Sequence, residues 1–255
     1  MSPAPEVVAH RGASAERPEH TLAAYELALE QGADGLECDV RLTADGTLVC
    51  VHDRTTARTS SGGLVVSTST FSQLDQLDYG SWHESGEPAK LLTLDTLLGL
   101  ACSYASRPVT LFIETKHPVR QSGGLERALV RALARFGLLH CSDPARPPVV
   151  VMSFSALAMR RMSRSAPGVP RVYLAESTRQ LLGFGADLAA SDILGPSVRL
   201  LRAAPELVQK AAERGKPVYC WTVDEAADAQ FCDELGVRWI ATNWPQRAKA
   251  LLAAR

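Results

Sequence analysis

Short apolar segments alternate with longer amphipathic segments along most of this chain, a pattern typical of a parallel α/β fold. The apolar segments have the length of β-strands, and the longer ones have the apolar spacing of helices. We predict eight parallel strands, the number that closes a TIM (β/α)8 barrel, at residues 7–9, 35–40, 109–115, 149–154, 171–174, 193–196, 217–223 and 239–243.

Helices are expected between these strands. The first is predicted from Thr21, a suitable N-cap, to Gln31, where Gly32 is a suitable stop. The others are predicted at residues 94–105, 124–136, 155–165, 178–184, 205–214 and 225–235, and a last helix closes the chain.

One pair of apolar segments cannot be parallel neighbours. Thr43-Ala44-Asp45-Gly46 is a tight-turn sequence, and a predicted strand at residues 48–52 follows it with no room for a crossover helix. An antiparallel hairpin is therefore expected. If its turn is centred between Ala44 and Asp45, His52 lies opposite Glu37, because the two residues are equally far from that centre. The hairpin would rise above the barrel rim and return His52 to Glu37.

Residues 54–91 show neither the strand nor the helix period. A long unpatterned segment inside a compact domain is typically a lid, an insertion or a functional loop. We expect an insertion over the C-terminal mouth of the barrel, so that residues 1–255 form a single domain.

Two of the predicted strands carry charged residues at alternating positions. Glu37 and Asp39 share one face of an otherwise apolar strand. Two solvated acids on an edge strand would give the same pattern, but a second apolar strand repeats it with Glu114 and Lys116. The repetition favours a site, and a divalent cation at the mouth of the barrel would explain the paired acids.

His10-Arg11-Gly12 directly follows the first strand and is therefore expected at the C-terminal rim. Gly12 would let the backbone approach a ligand, and the Arg11 guanidinium can bind a phosphate through two donors. A lone His-Arg pair is common on protein surfaces. Together with the residues above, however, the set offers two imidazoles for proton transfer, three carboxylates for a metal and two cations for an anion.

Composition narrows the classes of function. A formal net charge of -1 and a charged fraction of 22% give no support for nucleic-acid binding. No apolar run is long enough to span a bilayer, and the first residues do not read as a secretory signal, so a cytoplasmic location without stable membrane association is expected. The six cysteines are scattered without zinc-site spacing. The oligomeric state is not indicated.

The candidate residues resemble the glycerophosphodiester phosphodiesterase family. The resemblance rests on motifs in family order: His10-Arg11-Gly12, Pro18-Glu19-His20-Thr21, Glu37 with Asp39, Thr43-Ala44-Asp45-Gly46, His52-Asp53, Ile113-Glu114-Thr115-Lys116, Ser153-Phe154, Trp221-Thr222-Val223-Asp224 and Thr242-Asn243-Trp244-Pro245. It implies a TIM barrel with a small insertion after the second histidine. It also implies metal-dependent hydrolysis of a glycerophosphodiester, a small-molecule substrate, to sn-glycerol 3-phosphate and an alcohol.

The resemblance also implies roles for single residues. The positions of Glu37, Asp39 and Glu114 bind Mg²⁺ or Ca²⁺ in the family, and an all-oxygen ligand set suits such hard cations. The positions of His10 and His52 act as acid and base, and those of Arg11 and Lys116 hold the phosphate. Which histidine is the acid, and whether water or the glycerol 2-hydroxyl is the nucleophile, is left open.

Three residues depart from the family pattern, which usually has Asn at His20, Asn at Asp224 and Asp at Asn243. His20 either helps to cap the following helix or contacts the rim. Asp224 and Asn243 end strands at the same rim and would alter the hydrogen bonds around the site. These departures put substrate preference in doubt.

Other interpretations stay open. Trp221 and Phe154 are candidates for contacts with the substrate's glycerol, although both also suit a core. A lysophospholipase D, or a related phospholipase-D-like barrel that forms a cyclic phosphate, is the alternative enzyme. A phosphate-binding module without catalysis is the alternative from another class.

Overall fold

The computed structural model of this chain describes residues 3–120, 122–141, 143, 145–182 and 191–254. These residues form one sheet of nine strands: β1 (Glu6–His10), β2 (Gly35–Leu42), β3 (Leu48–Cys50), β4 (Thr110–Thr115), β5 (Val149–Ser153), β6 (Arg171–Ala175), β7 (Ile193–Pro196), β8 (Tyr219–Cys220) and β9 (Trp239–Thr242). All strands except β3 are parallel to their neighbours, in the order β7-β6-β5-β4-β2-β1-β9-β8.

The first and last strands of this order are joined by two parallel bridges, Leu194–Val218 and Ser197–Trp221. The eight parallel strands thus form a nearly closed barrel, with helices between them. The predicted TIM (β/α)8 barrel is confirmed.

The helices of the described residues are α1 (Leu22–Glu30), α2 (Phe71–Leu74), α3 (Leu94–Ser103), α4 (Gly124–Arg135), α5 (Ala156–Ser165), α6 (Thr178–Leu182), α7 (Val198–Ala203), α8 (Glu206–Ala212), α9 (Ala226–Glu234) and α10 (Pro245–Ala253). As predicted, Thr21 caps α1, since its side chain accepts a hydrogen bond from the backbone N–H of Ala24. The expected end of α6 at Phe184 lies outside the described residues. No helix in the described part of the chain combines the length and apolar character needed to cross a bilayer.

Side chains alternate between two apolar layers along the strands. The inner layer fills the barrel and includes Val8, Phe112 and Trp239. The outer layer packs against the helices and includes Leu36, Cys38 and Val40 of β2. Glu37 and Asp39 are therefore on the barrel side of β2, as the alternation predicts.

The β2–β3 hairpin forms, but its predicted register is wrong by one residue. The pairs are Val40–Cys50, Arg41–Val49 and Leu42–Leu48, so the turn is centred on Asp45 and not between Ala44 and Asp45. The reason is a longer loop, closed by the N–H of Thr43 donating to the carbonyl of Thr47. In this register His52 is not opposite Glu37, and β3 ends before it.

Residues 54–91 contain little regular structure, namely a 3₁₀ turn at Val66–Thr68 and the single turn of α2. Their apolar side chains form a third cluster with residues of the hairpin: Val49, Val51, Val66, Leu74, Tyr79 and Leu91. The segment is thus packed onto β3. That it is an insertion within a single domain of residues 1–255 stays a prediction.

Candidate active site

Three buried carboxylates meet at the C-terminal rim of the barrel. Asp39 of β2 is directly beside Glu114 of β4, and Glu37 is beside His10 of β1. The exposed fractions of Glu37, Asp39 and Glu114 are only 2%, 1% and 7%. One carboxylate oxygen from each lies within 4.8 Å of the others. The strands therefore bring together the three acids that the sequence suggested as metal ligands.

Two cations lie against these acids. The Lys116 ammonium is 2.9 Å from Asp39 Oδ1 and 2.7 Å from Glu114 Oε1. The Arg11 Nε atom is 3.0 Å from Asp39 Oδ2. Among the described residues, Glu37 has no such close cationic side chain; the nearest basic nitrogen in a side chain is His10 Nε2, 4.0 Å from Glu37 Oε2. The positive charge at the site is thus concentrated on Asp39.

This uneven charge separates the pKa values of the three acids. Burial alone would raise the pKa of Asp39, but Lys116 and Arg11 hold it well below its usual range. Burial and the neighbouring Asp39 raise the pKa of Glu37, and the same two causes raise the pKa of Glu114 to about 8. A further positive charge is needed to keep all three ionised. The donor set and its charge therefore fit a hard divalent cation.

The backbone at the start of the site is strained. Arg11 and His20 have φ values of 60° and 61°, which are unusual for residues with side chains. The Arg11 N–H donates to the carbonyl of Glu37 at 3.1 Å and to Glu37 Oε2 at 3.1 Å. The unusual conformation thus turns an amide donor toward an acid of the site, which is where strained residues tend to occur.

His10 is oriented by a short chain of hydrogen bonds. Asn243 Nδ2 donates to Asp224 Oδ2 at 2.7 Å, which fixes the amide so that its oxygen faces His10. That oxygen lies 2.7 Å from His10 Nδ1, which must therefore carry the proton. Nε2, the other ring nitrogen, then faces Glu37 with a free lone pair. Burial lowers the pKa of His10 to about 4, so the ring is neutral near pH 7.

His52 reaches the rim although the predicted register was wrong. The Val51 N–H donates to the Asp39 carbonyl at 3.0 Å, and the Arg41 guanidinium donates to the His52 carbonyl at 3.0 and 2.7 Å. The His52 ring is partly exposed, and its Nδ1 lies 2.8 Å from Asp53 Oδ1. Burial lowers its pKa, and Asp39, Arg11 and Lys116 are close enough to influence it.

His20 contacts the rim and does not cap α1. Its Nε2 lies 3.0 Å from Asp39 Oδ2, and its Nδ1 lies 2.8 Å from the Tyr25 hydroxyl. The Tyr25 hydroxyl donates to the Glu37 carbonyl at 3.0 Å. Because the low pKa of Asp39 leaves that carboxylate ionised, His20 Nε2 is the donor. His20 therefore supports one of the three acids.

Phe154 and Trp221 form an edge-to-face pair above the inner layer. Their ring centroids are 5.3 Å apart with an interplanar angle of 89°. Both are partly buried, and the Trp221 indole donates to the Gly195 carbonyl at 2.9 Å. The pair packs on the barrel core and keeps some exposed surface, so its contact with a substrate stays a prediction.

The sequence did not single out two residues of the surrounding network, Arg58 and Arg41. Arg58 donates to both carboxylate oxygens of Glu19 at 2.8 Å, and Glu19 lies 3.1 Å from Arg11. Arg41 holds the loop of His52. The signal for Arg41 was present, because it continues the alternation of Glu37 and Asp39 along β2. Arg58 gave no signal, since it lies in the unpatterned segment.

A family model and the relatives of this chain point to the same family. The family model described as "Glycerophosphoryl diester phosphodiesterase family" matches residues 10–247. The chain is 52% identical over 254 residues to "Probable glycerophosphodiester phosphodiesterase 1" of Mycobacterium tuberculosis, covering 97% of this chain and 92% of that protein. It is 32% identical to a glycerophosphodiester phosphodiesterase of Bacillus subtilis, covering 93% and 83%.

Solved structures agree in fold. A phosphodiesterase of Oleispira antarctica, in complex with its product sn-glycerol-3-phosphate, superposes with a TM-score of 0.86 at 24% identity, covering 98% of this chain and 97% of that one. A putative glycerophosphoryl diester phosphodiesterase from Silicibacter pomeroyi gives a TM-score of 0.83 at 25% identity, covering 98% and 94%.

Proposed function

The chain belongs to the glycerophosphoryl diester phosphodiesterase family, and from that premise we propose that it hydrolyses glycerophosphodiesters to sn-glycerol 3-phosphate and an alcohol. The observation that supports this proposal most strongly is the convergence of three buried carboxylates within 4.8 Å. They lie at the C-terminal rim with two imidazoles and two cations close by, and this rim is where TIM barrels carry their active sites.

Glu37, Asp39 and Glu114 would hold one divalent cation, Mg²⁺ or Ca²⁺, because carboxylate oxygens suit hard cations. When bound, the cation supplies positive charge that polarises the phosphodiester for attack. Asp39 is already ionised beside Lys116 and Arg11, so its carboxylate would bind the cation without first losing a proton. Glu37 lacks a close cationic side chain among the described residues, so the ion would stabilise the ionised form of this carboxylate most.

Arg11 and Lys116 would bind the non-bridging oxygens of the phosphate. Both are largely buried, with side-chain exposures of 16% and 11%, so their charges are weakly screened by water. Negative charge grows on these oxygens in the transition state, and two fixed cations stabilise it more than they stabilise the ground state. Asp39 holds both cations in place.

His10 and His52 would carry the protons of the reaction. His10 presents Nε2 because Asn243 engages Nδ1, and His52 presents Nε2 because Asp53 engages Nδ1. One imidazole removes the proton of the nucleophile, and the other protonates the leaving oxygen. General acid–base groups of this kind typically contribute about 10²–10⁴-fold in rate. Phe154 and Trp221 would offer an apolar surface to the glycerol moiety.

The test is a coupled assay. The protein is incubated with glycerophosphocholine and Mg²⁺ or Ca²⁺, and released glycerol 3-phosphate is oxidised by its dehydrogenase. We expect turnover that EDTA abolishes and that falls at least about 10²-fold in His10→Ala. Glu37→Ala should lose activity at limiting cation concentration.

Equal turnover by the wild-type protein and His10→Ala would overturn the acid–base assignment. Full activity in EDTA would overturn the cation. Turnover of lysophospholipids alone would favour the lysophospholipase D, and binding without turnover of any diester would favour a phosphate-binding module.

A further inference from the structure

A cleft opens beside the candidate active site. It has a volume of about 510 Å³, which is ample for a small polar ligand. Its walls are the end of the β2–β3 hairpin, the 3₁₀ turn at Val66–Thr68, and the segment after β4 that begins with Lys116. Because Lys116 also contacts Asp39 and Glu114, the cleft and the acids of the site share this side chain.

The charged residues that line this cleft are all positive. The described residues that line it include four cations, Arg41, Arg54, Lys116 and Arg120, and no carboxylate. Three other cavities in the described part of the chain each contain at least one acid: Asp95 in one, Asp224 and Glu225 in another, Glu6 and Asp34 in the third. The asymmetry stands out further because the whole chain has a formal net charge of -1.

Three of these cations form no ion pair with a described carboxylate. Arg54 and Arg120 are exposed, and neither forms an ion pair with a described residue. Arg41 is half-buried and donates to the His52 carbonyl, which carries no formal charge. Its guanidinium thus brings a positive charge to the cleft wall next to the proposed acid–base histidine. A cleft with this lining attracts an anion.

The position of the cleft assigns it to one end of the substrate. The Phe154–Trp221 pair follows β5 and β8, whereas the cleft lies on the side of β2 and β3. In the strand order β4, which ends next to Lys116, lies between β5 and β2. If the glycerol moiety contacts the aromatic pair, the leaving alcohol extends into the cleft.

We propose that the cleft binds the leaving alcohol and that this alcohol carries a second phosphate group, which Arg54 and Arg120 engage. The inference rests on the proposed function and names its substrate class: glycerophosphodiesters with an anionic leaving group. Guanidinium groups bind phosphate oxygens through paired donors, and a phosphate offers enough oxygens for more than one of them.

The experiment compares initial rates on three diesters with different leaving groups. 1,3-Bis(glycerophospho)glycerol releases an anionic alcohol, glycerophosphoglycerol a neutral one, and glycerophosphocholine a cationic one. We expect kcat/KM to be highest for the anionic leaving group, by about tenfold over the neutral one, since charge-assisted hydrogen bonds are the strong ones. Added salt should reduce this preference.

The variant Arg54→Gln/Arg120→Gln tests the two cleft residues. The ratio of kcat/KM for the anionic to the neutral diester should fall at least about tenfold, mainly through KM. The matched control is Arg131→Gln/Arg164→Gln, which removes two exposed charges from the outer helices α4 and α5. It should keep the preference of the wild-type protein.

The outcomes separate the inference from the proposed function. Hydrolysis of all three diesters with equal kcat/KM, or a ratio that the cleft variant leaves unchanged, would overturn the inference and leave the proposed function intact. A preference for glycerophosphocholine would also overturn it. If none of the diesters is hydrolysed, the proposed function fails and the inference fails with it.

Discussion

The proton position on His10 depends on a residue that does not touch it. Asp224 accepts from the Asn243 backbone N–H at 2.8 Å and from its Nδ2 at 2.7 Å, so the amide cannot turn over. The Ser14 hydroxyl donates to the same Asn243 oxygen at 2.8 Å. With the side-chain NH₂ group of Asn243 directed at Asp224, the amide oxygen faces His10. Asp224 is therefore a positioning residue in this structure.

We predict that Asp224→Asn impairs turnover and that the exchange Asp224→Asn/Asn243→Asp restores it. In the single variant two amides face each other, and Asn243 can turn its NH₂ group toward His10. In the double variant the new amide donates to the new carboxylate, whose other oxygen accepts from His10 Nδ1. The single change should lower kcat about 10–100-fold with little effect on KM, and the double variant should regain most of it.

NMR of the imidazole nitrogens gives a second measurement for the same variants. The proton should reside on His10 Nδ1 in the wild-type protein and in the double variant, and should shift in Asp224→Asn. The control is Asp228→Asn on α9, which removes a carboxylate paired only with Arg202 among the described residues. If the loss of kcat in the double variant equals the product of the losses in the two single variants, Asp224 and Asn243 act separately.

The raised pKa of Glu114 predicts how cation binding depends on pH. Its value of about 8 means that the free site holds a proton near neutral pH, and a cation must displace that proton. Affinity for Mg²⁺ or Ca²⁺ should therefore rise with pH through the neutral range, and Glu37, whose pKa is also raised by burial and Asp39, should add to this dependence. Calorimetry in buffers of different ionisation enthalpy should detect the released proton.

A dissociation constant that does not change from mildly acidic to mildly alkaline pH would contradict this prediction. Asp39 supplies the internal comparison. Its pKa is held low by Lys116 and Arg11, so it contributes no proton to the release. Alternation along β2 and β4 was enough to predict these acids from the sequence, whereas their unequal pKa values depend on distances that no local pattern contains.

At the scale of elements, loops limited what the sequence could predict. Strand and helix positions were largely correct because apolar periodicity reports burial directly. The hairpin register failed because a turn one residue longer than assumed moves its centre by half a residue. α7 was missed because it begins immediately after β7, capped by the Ser197 side chain, with no loop signal between them.

The first βα loop shows a second element-scale constraint, the contact between Gly12 and α1. Gly12 has a φ of 87°, and a Cβ atom added there would lie 2.7 Å from the Ala24 backbone. Gly32, at the other end of α1, has a φ of 82° but no atom within 4 Å of such a Cβ. The two glycines thus share a left-handed backbone conformation and differ in the space around a Cβ atom.

We predict that Gly32→Ala costs about 1–2 kcal/mol, the price of a left-handed conformation in a residue with a side chain. Gly12→Ala should cost at least about 2 kcal/mol more, because helix α1 must also move away from the loop that carries His10 and Arg11. Denaturant unfolding of both variants measures the difference. Equal losses would show that α1 yields easily at this contact.

The whole molecule combines a barrel that the sequence predicts well with a site that only the fold assembles. Eight apolar segments with helical connections leave few alternatives to a barrel. The residues that meet at its rim come from β1, β2 and β4 and from the loops around His52 and Asn243, far apart in the chain. Their grouping followed from strand ends. The contacts of Arg58 with Glu19 and of Arg41 with the His52 carbonyl could not be predicted, because they depend on side-chain packing.

The buried carboxylates at the rim make the free energy of unfolding of the whole protein depend on pH. A carboxyl whose pKa is raised in the folded state contributes most stability below its unfolded pKa, and that contribution is lost as the pH rises through the folded value. Glu37 and Glu114 both have raised values, so the cation-free protein should lose stability toward alkaline pH. A bound cation should reverse this loss.

Glu37→Gln should therefore change stability in opposite directions with and without cation. In EDTA at mildly alkaline pH, we expect the variant to be more stable than the wild-type protein by about 1–2 kcal/mol, since it removes a buried charge that lacks a close cationic side chain among the described residues. At saturating Ca²⁺ the wild-type protein should gain about 2–3 kcal/mol by mass action, and the variant much less. The order of their melting temperatures then reverses.

Exposed Glu26→Gln on α1 is the control and should follow the wild-type protein in both conditions. A variant that is less stable than the wild-type protein in EDTA would mean that Glu37 serves the fold and not a cation.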